Sequence, residues 1–268
     1  MTFRRVLLAL ALVVILQPAS GAVAAPANLA TMPIDRQDLP WWRTRFAESL
    51  ARVRRGDVSL VWLGDSITEN WERTTPQPWG DIAPIWQRFY GDRAAVNMGF
   101  KGDTTANVIW RLDHGEVDGI APRALVLLIG ANNFGRVHWD AAKTRAGIDA
   151  IIGILRRKLP QTQILLLGVL PSQRSPWISE NTAVLDADLA RAYRDRSHVT
   201  FMDVGASFLK NGRVDVSLYL DPHAADLRGQ TPDGAPLALH PDARGMEMIA
   251  TSIEPTLHRL MADRDHVR

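Results

Sequence analysis

Five short runs of branched aliphatic residues, separated by stretches with helical spacing, constrain this chain more than any other feature. They are residues 58–63 (VSLVWL), 94–98 (AAVNM), 124–130 (ALVLLIG), 163–170 (QILLLGVL) and 199–204 (VTFMDV). Short apolar runs bounded by Gly, Pro or Asp suit strands buried on both faces. Helical patterns follow at 104–113, 140–158 and 182–196, and a last helix is expected over 241–261, bent or briefly broken at Pro255. Strands alternating with helices predict an α/β fold whose five-stranded parallel sheet is covered on both faces. Ahead of the first run, residues 41–55 (WWRTRFAESLARVRR) have the pattern of an amphipathic helix. Residues 205–239 show little periodicity and read as a long loop, a feature that in a compact domain usually carries function.

Composition narrows the class without naming it. The 268 residues are 46% apolar and 22% charged, which excludes wholesale disorder and a multi-span membrane protein. The formal charge is +2, but Arg4 and Arg5 account for it, and from residue 25 onward 29 basic residues balance 29 acidic ones. That balance argues against a nucleic-acid partner. The chain has no cysteine, so disulfides, thiolate zinc sites, iron–sulfur clusters and a cysteine nucleophile are all excluded.

The first residues have the plan of a secretory signal. MTFRR carries positive charge, residues 6–16 (VLLALALVVIL) are apolar, and Ala22-Val23-Ala24 satisfies the small-residue cleavage rule. Such a run is too short for a membrane-spanning helix, which needs about 20 residues. The expected organisation is a signal peptide at 1–24, an entry segment and helix at 25–55, and one domain at 56–268. The mature protein is expected to be exported, periplasmic or secreted, with no stable membrane span after cleavage.

In an open α/β sheet, ligands bind beyond the carboxyl ends of the strands. The residues that follow the first three runs are Gly64-Asp65-Ser66-Ile67-Thr68, then Gly99-Phe100-Lys101-Gly102-Asp103, then Gly130-Ala131-Asn132-Asn133. Near the C-terminus, Leu239-His240-Pro241 precedes the final helix. A serine, glycines, an asparagine and a histidine at one rim supply the parts for acyl transfer: a nucleophile, oxyanion donors and a base. Ser66 is also suited to cap the helix after the first strand. Gly99 and Gly102 compete for the role of backbone donor, and His223 is a rival to His240. No P-loop and no H-E-x-x-H spacing occurs, and no cofactor or metal is expected. Trp71, Trp79, Trp139 and Trp177 follow motif-bearing segments and are candidates for lining a cleft, with ordinary packing the simpler role for each.

These blocks, GDSIT, GDTT, GANN and LHP, resemble those of the SGNH (GDSL) hydrolase superfamily over residues 41 to 260. Within it, NMGFKGDTTANVIWRLDHGEVDGIAPRALVLLIGANN is similar to the catalytic subunits of platelet-activating-factor acetylhydrolase and their bacterial relatives. The resemblance implies a flavodoxin-like three-layer sandwich. It implies Ser66 as nucleophile, His240 as base, and an oxyanion hole formed by Ser66, Gly102 and Asn132, with Gly102 selected because it directly precedes the Asp-Thr pair. Asp65 is expected to tie its loop together rather than to react. A G-x-S-x-G elbow is absent, since Thr68 stands where its second glycine would be.

One departure stands out. The superfamily places an acid three residues before the histidine, and here position 237 is Leu. Asp221, in LYLDP, can replace it if residues 222–239 are an insertion. Asp233, in TPDG, sits in turn chemistry, and a triad without an acid is a third outcome. Asp221 is favoured, and the 205–239 loop is expected to fold over the rim and carry it to the imidazole. The expected activity is that of a serine esterase acting on short acyl esters, acetyl first, of a small molecule or glycan, by a monomer or homodimer. A lysophospholipase or thioesterase, or a non-catalytic glycan-binding module, are the alternatives.

Overall fold

The computed structural model describes residues 27–230, 234 and 237–262. The expected signal peptide and Asp233 lie outside the described residues. Each apolar run forms a strand: β1 (Leu60–Gly64), β2 (Ala95–Gly99), β3 (Ala124–Leu128), β4 (Gln163–Leu167) and β5 (Val199–Met202). They pair in parallel in the order β2-β1-β3-β4-β5, which is the flavodoxin-like order.

Alternation along the strands divides the core in two. Val61 and Leu63, Leu125 and Leu127, and Ile164 and Leu166 face one layer. Leu60 and Trp62, Ala124 and Val126, and Leu165 and Leu167 face the other. Helices α4 (Thr105–Asp113), α6 (Ala141–Lys158) and α7 (Pro176–Ala192) cover the first face through Ile109, Ile148, Ile151, Leu185 and Leu189. Helices α3 (Ala83–Tyr90) and α8 (Ala243–Ala262) cover the second through Ile85, Tyr90, Ile249, Ile253 and Leu257. The result is the expected three-layer sandwich. Helix α1 (Pro40–Arg54) packs Trp42 and Phe46 against Phe100 and Trp110, so the entry segment is part of the folded unit.

Several expectations need correction. The expected break at Pro255 is absent: helix α8 is continuous there, and that residue and Thr251, whose carbonyl the proline cannot serve, both lie on the solvent face. Helix α7 begins six residues earlier than position 182, with Ser175 as its cap and Pro176 in its first turn. The short helices α2 (Ser66–Glu69) and α5 (Ala131–Gly135) follow β1 and β3 directly. The 205–239 segment is not wholly irregular: it holds a two-residue hairpin, β6 (Leu209–Lys210) with β7 (Arg213–Val214). Among the described residues no helix is long and apolar enough to cross a membrane.

Candidate active site

The connection after β1 runs to β2 and the one after β3 runs the opposite way, to β4, so the crevice between β1 and β3 is the switch point where ligands bind in this topology. Ser66 follows β1 and Asn132 follows β3, which puts both at that crevice. Asp65, not Ser66, caps α2: its Oδ1 accepts from the Ile67 N–H at 3.0 Å. Ser66 is the first residue of that helix, where a backbone N–H has no intrahelical partner.

His240 comes from the other end of the chain and meets the serine. Ser66 Oγ lies 2.9 Å from His240 Nε2, and His240 Nδ1 lies 2.7 Å from Asp221 Oδ1. The second oxygen of Asp221 accepts from the backbone N–H groups of His240, at 2.7 Å, and Leu239, at 2.9 Å. A Leu220 N–H to His240 O bond and the Tyr219–Pro241 bridge lay the 219–221 segment beside 239–241, which seats the carboxylate. Ser66, His240 and Asp221 are all buried. His223, the rival base, instead stacks on Trp79 with ring centroids 3.9 Å apart.

The two candidate glycines have different constraints. Gly99 N–H is taken by Asn97 Oδ1 at 2.9 Å, and a Cβ there would overlap the backbone of Thr68 and Glu69. Gly99 is therefore a close-approach glycine, needed where β2 passes under α2. Gly102 has φ +78°, in the left-handed region that favours glycine, and its N–H has no protein partner among the described residues. Asn132 donates its amide to Asp103 O at 3.0 Å, and Nδ2 stands 3.5 Å from Asp65 Oδ2. Burial, opposed by the Ile67 N–H, pushes the Asp65 carboxyl up to about 6.

Arginines that sequence reading did not single out surround these donors. Arg111, fully buried, donates to Asp103 Oδ2 at 2.9 Å, Gly64 O at 3.2 Å, Met98 O at 3.3 Å and the Glu116 carboxylate, with Phe100 against its plane. Burial raises the Asp103 and Glu116 carboxyls, and Arg111 opposes that in both. Arg174 Nη2 holds Ala131 O at 2.9 Å, and burial lowers its guanidinium against the pull of Asp65 and Asp221. The grips on Gly64 O and Ala131 O come from 47 and 43 residues away, and no spacing in the sequence signals them. Of the four tryptophans, Trp71 is core, packed on Trp62, and Trp177 sits edge-on to Phe134. Trp139 is half-buried, its backbone N–H bonded to Asn133 O, while Trp79 is exposed. Among the described residues no group of three His, Cys, Asp or Glu side chains converges as a metal site would require.

A parallel α/β sandwich with a Ser–His–Asp line at its switch point defines a carboxylic-ester hydrolase, and comparison with known proteins agrees. Residues 62–248 match the model of the GDSL-like Lipase/Acylhydrolase family, and the chain belongs to that family. It is 26% identical over 186 residues to platelet-activating factor acetylhydrolase IB subunit alpha2 of Gallus gallus, covering 68% of this chain and 76% of that one. Among solved structures, a GDSL-like lipase from Bacteroides thetaiotaomicron superposes with a TM-score of 0.55 at 18% identity, covering 81% of this chain and 97% of the other. A carbohydrate acetylesterase family member from Sinorhizobium meliloti gives a TM-score of 0.52 at 18% identity, covering 76% and 99%. At those identities the likeness is one of fold.

Proposed function

We propose that this chain is an exported serine esterase that hydrolyses short-acyl carboxylic esters, acetyl esters first, through an acyl-enzyme. The observation that carries the reading is the unbroken line from Ser66 Oγ through His240 to Asp221, with each hydrogen bond under 3 Å. His240 Nε2 takes the hydroxyl proton as Oγ attacks the ester carbonyl, while Asp221 holds the proton on Nδ1 and stabilises the imidazolium that forms. The tetrahedral oxyanion is met by the N–H groups of Ser66 and Gly102 and by the Asn132 amide. His240 then protonates the leaving alcohol. Water enters, gives its proton to His240 and attacks the acyl carbonyl, and collapse of the second intermediate releases the acid and restores Ser66.

The acetyl preference is supported by the relatives, which include an acetylhydrolase and a carbohydrate acetylesterase family member. The N-terminal signal pattern supports export, and an exported esterase meets acetylated glycans and environmental esters more readily than cytosolic lipids. Turnover of 4-nitrophenyl acetate by wild type and Ser66→Ala tests the reading. Loss of turnover in the variant supports it, and equal turnover removes it. A series of acyl chain lengths with acetylated sugars then separates an acetylesterase from a lysophospholipase or thioesterase, and light scattering separates a monomer from a homodimer.

A further inference from the structure

We infer that Arg36, from the segment ahead of α1, is a positioning residue that sets the oxyanion hole. The inference rests on the esterase reading and deepens it. In a trans peptide the C=O and the following N–H point to opposite sides of one plane, so gripping the oxygen aims the hydrogen. Two peptide planes flank Gly102. In the Gly102–Asp103 plane both groups are engaged: Gly102 O accepts from Arg136 Nη1 at 2.9 Å, and Asp103 N–H donates to Phe100 O at 3.0 Å. In the Lys101–Gly102 plane the oxygen accepts from Arg36 Nη1 at 2.6 Å, and the Gly102 N–H is the one group left without a protein partner among the described residues. Arg36 therefore holds the back of the plane whose front is the proposed oxyanion donor.

The same nitrogen supports the other donor. Arg36 Nη1 lies 3.1 Å from Asp103 Oδ1, and the backbone oxygen of Asp103 receives the Asn132 amide at 3.0 Å. One guanidinium thus braces both the Gly102 N–H and the residue that orients Asn132.

Arg36 is itself held in place. Ile34 N–H donates to Ala106 O at 3.1 Å, Asn107 Nδ2 to Ile34 O at 2.8 Å, and Thr105 Oγ1 to Ala30 O at 2.9 Å, which fastens the segment along the start of α4. The guanidinium also lies over the Trp41 ring, 5.2 Å from its centroid, and the side chain is only 15% exposed. The family match begins at residue 62, so this brace comes from outside the matched span.

The test is steady-state kinetics on the full chain with 4-nitrophenyl acetate, together with inhibition by an aryl trifluoromethyl ketone that forms a tetrahedral serine adduct. Removing an oxyanion donor outright costs about 10²–10³ in kcat, so loosening one that remains should lower kcat about 10- to 100-fold in Arg36→Ala. KM should stay within about twofold, because the contact is made only to the developing charge. The ketone inhibition constant should rise in step with the fall in kcat, and the pH profile should not move. A kcat within about twofold of wild type overturns the inference, as does a raised KM at unchanged kcat. If Arg36→Ala does not fold, Arg36→Lys is read instead, since it keeps the charge beside Asp103 but loses the planar fork. A fall of at least about threefold in kcat at constant KM supports the brace, and unchanged kcat overturns it. Ser66→Ala, run in parallel, keeps the two readings apart: retained turnover there fails the esterase reading rather than this one.

Discussion

Asp221 stands 19 residues before His240 in the chain, yet its carboxylate lies 2.7 Å from the imidazole Nδ1. The usual spacing in the family is three, and the residues between form an excursion that leaves from and returns to the Tyr219–Pro241 bridge. A long connection whose ends meet need not disturb a site, because closing a longer flexible loop adds only about 0.6 kcal/mol per doubling of length. Asp221→Asn should lower kcat by about 10²–10⁴, since an amide offers Nδ1 a donor and favours the wrong tautomer. The amide oxygen can still accept from the Leu239 and His240 N–H groups, so the melting temperature should fall by only a few degrees. Kinetics and calorimetry on the same preparation check both, and wild-type kcat would remove Asp221 from the triad.

Gly99 and Gly102 predict opposite balances of stability and activity. Alanine at Gly99 meets backbone atoms of α2, which cannot move without displacing Ser66, and overpacking of that kind costs about 1–3 kcal/mol or more. Alanine at Gly102 pays for its positive φ, about 1–2 kcal/mol, but its steric conflicts are with movable guanidinium ends, Arg136 foremost and Arg36 less closely. Gly99→Ala should therefore show the lower urea midpoint. Gly102→Ala should fold and lose kcat at near-constant KM. The reverse order of midpoints would contradict the packing described for β2 and α2.

The sheet was legible because its signal is local. Runs such as ALVLL and QILLL are too short for helices and too apolar for an exposed face, and each became a strand. Helices α2 and α5, of four and five residues, are too short to show a period at all. Helix α3 was hidden by Pro84, which breaks a pattern in a sequence but is accommodated in a first helical turn. At the site, Ser66, Gly102, Asn132 and His240 were readable as blocks in order. Asp221 was readable only as one of three options, since pairing across a long connection depends on where the chain returns. Arg36, Arg111 and Arg174 were not readable, because an arginine that holds a carbonyl dozens of residues away leaves no mark in the spacing of either.

Arg111 should be among the most costly residues to remove. Its fully buried guanidinium faces two fully buried carboxylates, Asp103 and Glu116. Breaking such a network by deleting one partner typically costs about 3–5 kcal/mol, because the remaining charges lose their counterion. Arg111→Met should show a loss of that size in urea unfolding. Combining it with Glu116→Leu should recover part of the loss, since Asp103 keeps Arg36 and the Trp42 indole N–H at 2.9 Å. A double variant as unstable as the single one would place the cost in packing rather than in charge.

Asp186 predicts how stability depends on pH. It lines a cavity of about 510 Å³ between α7 and β5 with Asp203 and Phe201, and its Oδ1 accepts from the Val169 N–H at 3.0 Å. Burial, reinforced by the charge of Asp203, raises its carboxyl to about 8 from an ordinary value of 3.8. Between those values the folded protein keeps a proton that the unfolded chain has released, so stability falls as pH rises through that window. Below it both states are protonated and this penalty is absent. Asparagine carries no such proton and can still accept from Val169. Asp186→Asn should therefore flatten the fall in stability between pH 5 and pH 8, and should be the more stable protein at pH 8 by at least about 1 kcal/mol, one pKa unit being worth about 1.4. Urea unfolding of both proteins at those two pH values measures the difference. Parallel curves for the two would show that Asp186 ionises at its ordinary value in the folded protein.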